Sequence, residues 1–262
     1  MNRFDKMFSH GNKVRLVPFF TLGDPSYDDS LLMIKAAIDA GADALELGFP
    51  FSDPVADGPT NQRSMARGLK SNMNVDRCLA LLKEIRAYNR EIPIGLLIYY
   101  NLLFKRGDKV YQELADCGVD GVVSADLPYE EAFDHKKKLE ANGVGCVQLV
   151  APNTPLERAK MLFDNSSAFT YVLSGYGPTG AKEKLEEQTI EHVQALRQLT
   201  NKPMIVGFGI SKPEHVKMIC QAGANAAIVG SFFTSMIEKH LNEPAKAREA
   251  VSEFIRKVHL ND

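Results

Sequence analysis

DAGADALELG, residues 39–48, closes a segment of helical periodicity and at once opens a short apolar run. The phrase returns as DCGVDGVVSAD at 116–126 and as QAGANAAIVGS at 221–231, with a weaker echo, ANGVGCVQLV, at 141–150. Each time a helix-like segment stops at Gly and an apolar, mostly β-branched run follows. That order is a helix C′ stop leading into a buried parallel strand. The unit is helix then strand, repeated.

Working outward from these phrases, eight apolar runs read as strands: VRLVPFFTL from Val14, ALEL from Ala44, IGLLIYY from Ile94, GVVSA from Gly121, CVQLV from Cys146, FTYVL from Phe169, MIVGF from Met204 and AAIVG from Ala226. Helical patterns fill the gaps. Leu31, Ile34 and Ile38 share one face, as do Leu79, Leu82 and Ile85, and Val216, Ile219 and Cys220 repeat the spacing behind a capping box predicted at Ser211 and Glu214. Val251, Phe254, Ile255 and Val258 mark a terminal amphipathic helix, and an extra N-terminal helix carrying Phe4, Met7 and Phe8 is placed to cover a barrel bottom. Eight strands alternating with helices over about 250 residues match an α/β fold of the (β/α)8 TIM-barrel class, here a single domain spanning 1–262. A doubly wound open sheet is the alternative, but it would not need eight successive units. A barrel places function in the βα loops. Two are long, roughly 48–60 after the second strand and 174–188 after the sixth, a length typical of lids and binding loops.

Composition narrows the function classes. With 262 residues, 45% hydrophobic and 24% charged, the chain is an ordinary globular one. A net charge of −2 and a pI near 6.3 leave no electrostatic footprint for nucleic acid, and Lys136, Lys137 and Lys138 read as a solvated helix face. The apolar runs fall short of the roughly 20 residues of a membrane helix, and MNRFDKMFSHGNK lacks the apolar region of a signal peptide. No membrane and a cytoplasmic location are therefore expected. Cys78, Cys117, Cys146 and Cys220 lack CxxC spacing and the six His never fall at i, i+4, so packed thiols are expected rather than disulfides or a metal site.

The ends of the last two strands carry GFGIS, 207–211, and VGS, 229–231, the latter running into a short helix. Barrel phosphate sites are commonly built there: glycines let backbone N–H groups approach the anion, and a helix N-terminus contributes roughly half a positive charge. Gly207, Gly209 and Gly230 would equally relieve crowding at strand ends; two such ends side by side, with the Ser231 hydroxyl, favour a phosphate. No Lys lies in any of the eight runs, which argues against a Schiff-base aldolase. What the strand ends offer is carboxylates and a phenol: Glu46, Asp57, Asp126 and Tyr171. Proton transfer is the chemistry they allow. Glu46, flanked by Leu45 and Leu47 near an apolar mouth, is expected to lose solvation and rise in pKa toward neutrality; a buried ion pair is the competing role. Asp53 before Pro, Asp57 before Gly and Asp126 before Leu-Pro all suit turns as well as chemistry.

ELGFPFSDPVADGPTNQ at 46–62, with VPFFTLGDP at 17–25, IGLLIYYN at 94–101, SGYGPTGA at 174–181 and GFGIS at 207–211, resembles the α-subunit family of tryptophan synthase, in order and along nearly the whole chain. The resemblance implies cleavage of indole-3-glycerol phosphate to indole and glyceraldehyde 3-phosphate. On it, Glu46 protonates the indole ring, Asp57 holds the indole N–H, and Tyr171 stands beside the reacting glycerol. Phosphate contacts fall on Gly180, Gly209, Gly230 and Ser231, and the indole slot on Phe19, Leu97, Val123, Leu149, Phe208 and Ile228. Asp53 and Thr179 belong to the lids, with Thr179 meeting Asp57 on closure. The resemblance also implies an assembly of two α and two β chains, indole passing to pyridoxal phosphate in the β subunit, and no cofactor in this chain.

Three positions depart from the family pattern: Pro178 within loop six, Asn61 in place of a usual aliphatic residue, and Leu102 in place of a common proline. Proline fixes φ and removes a donor, so Pro178 bears on lid motion. A stand-alone lyase releasing free indole, a mainly non-catalytic activator of a β subunit, and another phosphate-binding barrel of amino-acid biosynthesis are the competing readings.

Overall fold

The computed structural model describes residues 2–11, 13–174, 187–207 and 209–260. The strands are β1 (Leu16–Thr21), β2 (Leu45–Gly48), β3 (Ile94–Ile98), β4 (Gly121–Ser124), β5 (Gly145–Val147), β6 (Leu149–Val150), β7 (Thr170–Leu173), β8 (Met204–Gly207) and β9 (Ala226–Val229). Every pairing is parallel, in the order β5-β4-β3-β2-β1-β9-β8-β7-β6. The two ends of that order, β5 and β6, are separated in the chain by Gln148 alone, so they are two halves of one stave and the sheet closes on itself. The result is the eight-staved barrel expected, with the CVQLV run interrupted at Gln148; Gln148 N donates to Ser166 Oγ and Gln148 O accepts from Tyr171 N.

The helices are α1 (Arg3–Phe8), α2 (Tyr27–Asp39), α3 (Pro59–Lys70), α4 (Val75–Tyr88), α5 (Tyr100–Arg106), α6 (Lys109–Asp116), α7 (Phe133–Ala141), α8 (Leu156–Asn165), α9 (Glu187–Leu199), α10 (Pro213–Gln221), α11 (Ser231–Lys239) and α12 (Pro244–His259). The recurring phrase is a structural device. Gly41 and Gly223, at φ of 100° and 115°, take the left-handed turn that ends α2 and α10, and Gly118 and Gly143 do the same after α6 and α7. The Asp or Asn two residues on then clamps the strand next door: Asp43 Oδ2 accepts from Leu16 N at 2.8 Å, Asp120 Oδ2 from Ile94 N at 2.9 Å, and Asn225 Oδ1 from Met204 N at 3.0 Å. One local signal thus stops a helix and sets the register of a strand.

Two apolar cores result. Residues such as Leu45, Leu47, Val122 and Val206 face outward and pack under the helical layer, while Phe4, Val17, Ala44, Val123, Phe169 and Ile205 fill the barrel. Phe4 of α1 is fully buried, its ring 4.8 Å from that of Phe169, so α1 plugs the N-terminal end as expected. The capping box at Ser211 and Glu214 does not form: Lys212 occupies the N-cap of α10, no side chain caps it, and Pro213 opens the helix with its φ preset.

Candidate active site

At the C-terminal mouth lies a cleft with about 730 Å³ of empty space, its open end included. Strand parity decides what enters it. Ala44, just before β2, belongs to the inner core while Leu45 and Leu47 within it face the helices, so Glu46 points inward. The Leu neighbours therefore do not desolvate Glu46. Inward-facing residues of other strands do: Phe19, paired with Glu46 across β1 and β2, and Tyr171 from β7 share the cleft with it. Glu46 is 3% exposed, and its Oε1 meets no hydrogen-bond partner among the described residues. Burial, with a smaller contribution from the charge of Asp57, pushes its carboxyl up to about 8.

Asp57 sits in the loop between β2 and α3, where Gly58 forms the N-cap of α3 and Pro59 its first residue, so the helix starts just inside the expected loop. Its carboxylate is buried but served: Tyr99 Oη donates to Oδ2 at 2.7 Å and Asn61 Nδ2 to Oδ1 at 3.2 Å. Burial raises its pKa and these two hydrogen bonds oppose the rise. Tyr99 itself accepts from Ala56 N at 3.0 Å and stacks on Phe51 at 4.9 Å, which braces the loop. Its phenol is held protonated by burial and by the negative Asp57. Tyr171 is likewise pushed well above its ordinary value, by burial first and then by Glu46 and Asp57. A Cβ on Gly207 would lie 2.2 Å from Tyr171 Oη, so only glycine at that strand end admits the ring.

Gly209, Gly230 and Ser231 line the same cleft as the acids. Gly230 is the N-cap of α11, no side chain caps that helix, and its first turn holds no acid, so its positive end faces the cleft unopposed. A Cβ on Gly230 would make only ordinary contact, 3.6 Å from Phe19, so packing does not demand glycine there. Phe19, Leu97, Leu149 and Ile228 supply apolar lining to the same cleft.

The cleft therefore gathers Glu46, Asp57, Tyr171 and most of the expected apolar and glycine positions. Val123 is not among its lining residues; it is buried in the inner core. Asp53 lies on the exposed loop, accepting from Ser52 Oγ at 2.6 Å. Asp126 Oδ1 accepts from Tyr100 N at 2.7 Å, a contact across to the start of α5 rather than within its own turn. Thr179, Gly180 and Phe208, with Pro178, lie outside the described residues. Tyr99 and Asn61 were not expected as partners of Asp57, although the YYN triplet and the aliphatic-to-Asn departure flagged both positions. Among the described residues no three His, Cys, Asp or Glu side chains converge as metal ligands. Cys78, Cys117 and Cys146 are buried, and among the described residues no helix is long and apolar enough to cross a membrane.

Residues 6–261 match the family model described as Tryptophan synthase alpha chain. The tryptophan synthase alpha chain of Methanothermobacter thermautotrophicus is 42% identical over 241 residues, covering 92% of this chain and 89% of that protein. That of Vibrio cholerae is 41% identical over 258 residues, covering 97% and 96%. Among solved structures, a chain of the Pyrococcus furiosus tryptophan synthase complex superposes with a TM-score of 0.86 at 33% identity, covering 95% of this chain and 98% of that one.

Proposed function

The chain belongs to the tryptophan synthase alpha chain family, and from that premise we propose that its cleft cleaves indole-3-glycerol phosphate to indole and glyceraldehyde 3-phosphate. The observation that carries this reading is the pairing of a buried acid, Glu46, whose Oε1 meets no donor among the described residues, with a buried carboxylate whose two oxygens are held, Asp57. A retro-aldol cleavage without a Schiff base needs an electron sink within the substrate. Protonating the indole ring at C3 creates one. Glu46, kept protonated near neutrality, supplies that proton. Asp57 accepts the indole N–H and stabilises the positive charge that spreads to the nitrogen. The glycerol hydroxyl then loses its proton to the Glu46 carboxylate, the bond to C3 breaks, its electron pair restores the aromatic ring, and the aldehyde leaves. Tyr171 stands beside the reacting glycerol, and the phosphate docks at Gly209, Gly230 and the first turn of α11.

The Pyrococcus furiosus relative assembles as an a2b2 tryptophan synthase complex. We propose a β-subunit partner here too, in two α and two β chains, seated over the C-terminal mouth. Val55 on the loop after β2 and Phe104 on α5 after β3 are 80% and 73% exposed there. Asp53 shares that face. This chain is assigned no cofactor of its own, pyridoxal phosphate belonging to the β subunit, and a cytoplasmic location. Purified chain given indole-3-glycerol phosphate is expected to release indole, slowly alone and faster with a β subunit. No indole under either condition overturns the reading.

A further inference from the structure

Asn61 stands where the family resemblance leads one to expect an aliphatic side chain, and it is buried between two parts of the cleft. It lies in the first turn of α3, 5% exposed. Nδ2 donates to Asp57 Oδ1 at 3.2 Å, and Oδ1 accepts from Thr234 Oγ1 at 2.9 Å. Thr234 is fully buried in the first turn of α11, the helix whose N-terminus lines the cleft. The orientation of the amide is fixed by this pairing: an ionised carboxylate only accepts, so the NH₂ must face Asp57 and the carbonyl must face the hydroxyl.

We propose that Asn61 is a positioning residue for Asp57, holding its second oxygen and tying it through Thr234 to the start of α11, so that the acid and the anion-binding helix keep one geometry. The proposal rests on the reading of Asp57 as the group that receives the indole N–H. Packing alone does not call for the tie. The α3 to α11 seam is already clamped by Arg67, which donates to Asp24 at 2.6 and 2.7 Å and to Glu238 at 3.0 Å, and by Arg63, which donates twice to Glu238. Were residue 61 apolar, Thr234 could turn its single proton to the Ser231 carbonyl, 3.2 Å away, while Asp57 Oδ1 would lose a donor. The loss falls on the carboxylate.

The titratable groups facing Asp57 are Tyr99 at the end of β3, Glu46 on β2 and Tyr171 on β7. The two phenols stay protonated across the working range, so the acid-side limb of a pH profile reports Asp57 and the alkaline limb Glu46. A hydrogen bond to a charged group is worth about tenfold or more. Asn61→Leu is therefore expected to lower kcat/KM about tenfold for indole release and to move the acid-side limb up by about one pH unit, leaving the alkaline limb in place. Thr234→Val, of equal volume, shifts the same limb by less. The double variant matches Asn61→Leu alone, because Thr234 acts only through Asn61. In parallel, ¹³C NMR of the labelled Asp57 carboxyl in the ligand-free chain is expected to titrate higher in Asn61→Leu. An unmoved Asp57 titration, or additive effects in the double variant, overturns the proposal even where the wild-type chain releases indole. A moved titration in a chain that releases no indole supports the positioning role and overturns the reaction.

Discussion

At the N-terminal end of the barrel Asp120 is 4% exposed and accepts from Ile94 N at 2.9 Å, Arg3 at 2.9 Å and Arg86 at 3.2 Å; at the C-terminal end Glu46 is 3% exposed and has an oxygen that accepts from nothing described. The residues share a functional group and a degree of burial but not an environment. Asp120 is surrounded by donors that suit its charge, and what it does with that charge is hold α1, α4 and β3 together. Glu46 Oε1 meets no donor among the described residues, and burial penalises the ionised form, so the proton is kept. Asp120, supplied with donors away from the cleft, is a structural charge; Glu46, in the cleft with one oxygen unpartnered among the described residues, is suited to giving up a proton.

The largest expected effect breaks the proton donor. Glu46→Gln keeps the shape and the neutral, hydrogen-bearing end but cannot transfer a proton, so turnover is expected to fall about 10²- to 10⁴-fold with the fold intact by circular dichroism. In the wild-type chain indole release should decline as pH rises through about 8, where Glu46 gives up its proton in the empty cleft. Retained activity in the Gln variant removes Glu46 from its role.

The next effect breaks the structural acid. Asp120→Ala leaves Arg86 partly buried without its counter-charge and Ile94 N without an acceptor, a loss of about 3–5 kcal/mol of stability. Denaturant unfolding measures it. Molecules that remain folded should turn over substrate with the wild-type pH profile, since nothing at the mouth has changed; a shifted profile would show that the two ends are not separable.

That contrast was only half legible in the sequence. The Gly stops, the strand count and the inward Glu were readable because period and punctuation are local. Asp43, Asp120 and Asn225 recur at one place in the repeated phrase, yet their clamping role was invisible, because each bonds a strand start 21 to 27 residues away. The desolvation of Glu46 was anticipated for a mistaken reason. Leu45 and Leu47 are its neighbours in sequence, but alternation sends them to the opposite face, and Phe19 and Tyr171 take their place by closure of the sheet. Asn61 and Thr234, 173 residues apart, meet only because α3 and α11 flank the same mouth.

The smallest effect sharpens the comparison, because it measures what burying the Glu46 carboxyl costs the fold. Its folded pKa of about 8 lies above the ordinary 4.5 of the unfolded chain. The folded state therefore binds this proton more tightly, and stability from this group is full below about 4.5, declines as pH rises toward 8, and is level beyond. Each pH unit inside that window is worth about 1.4 kcal/mol at most, so the whole amounts to a few kcal/mol. Glu46→Gln carries no such proton. Its stability should equal or fall below that of the wild type near pH 5 and exceed it by a few kcal/mol at pH 8 to 9, the gap widening between. Paired thermal melts across that range, with the variant as reference, cancel the other titrating groups. Parallel curves would mean that Glu46 finds partners when ionised, and the distinction between the two acids would fall with it.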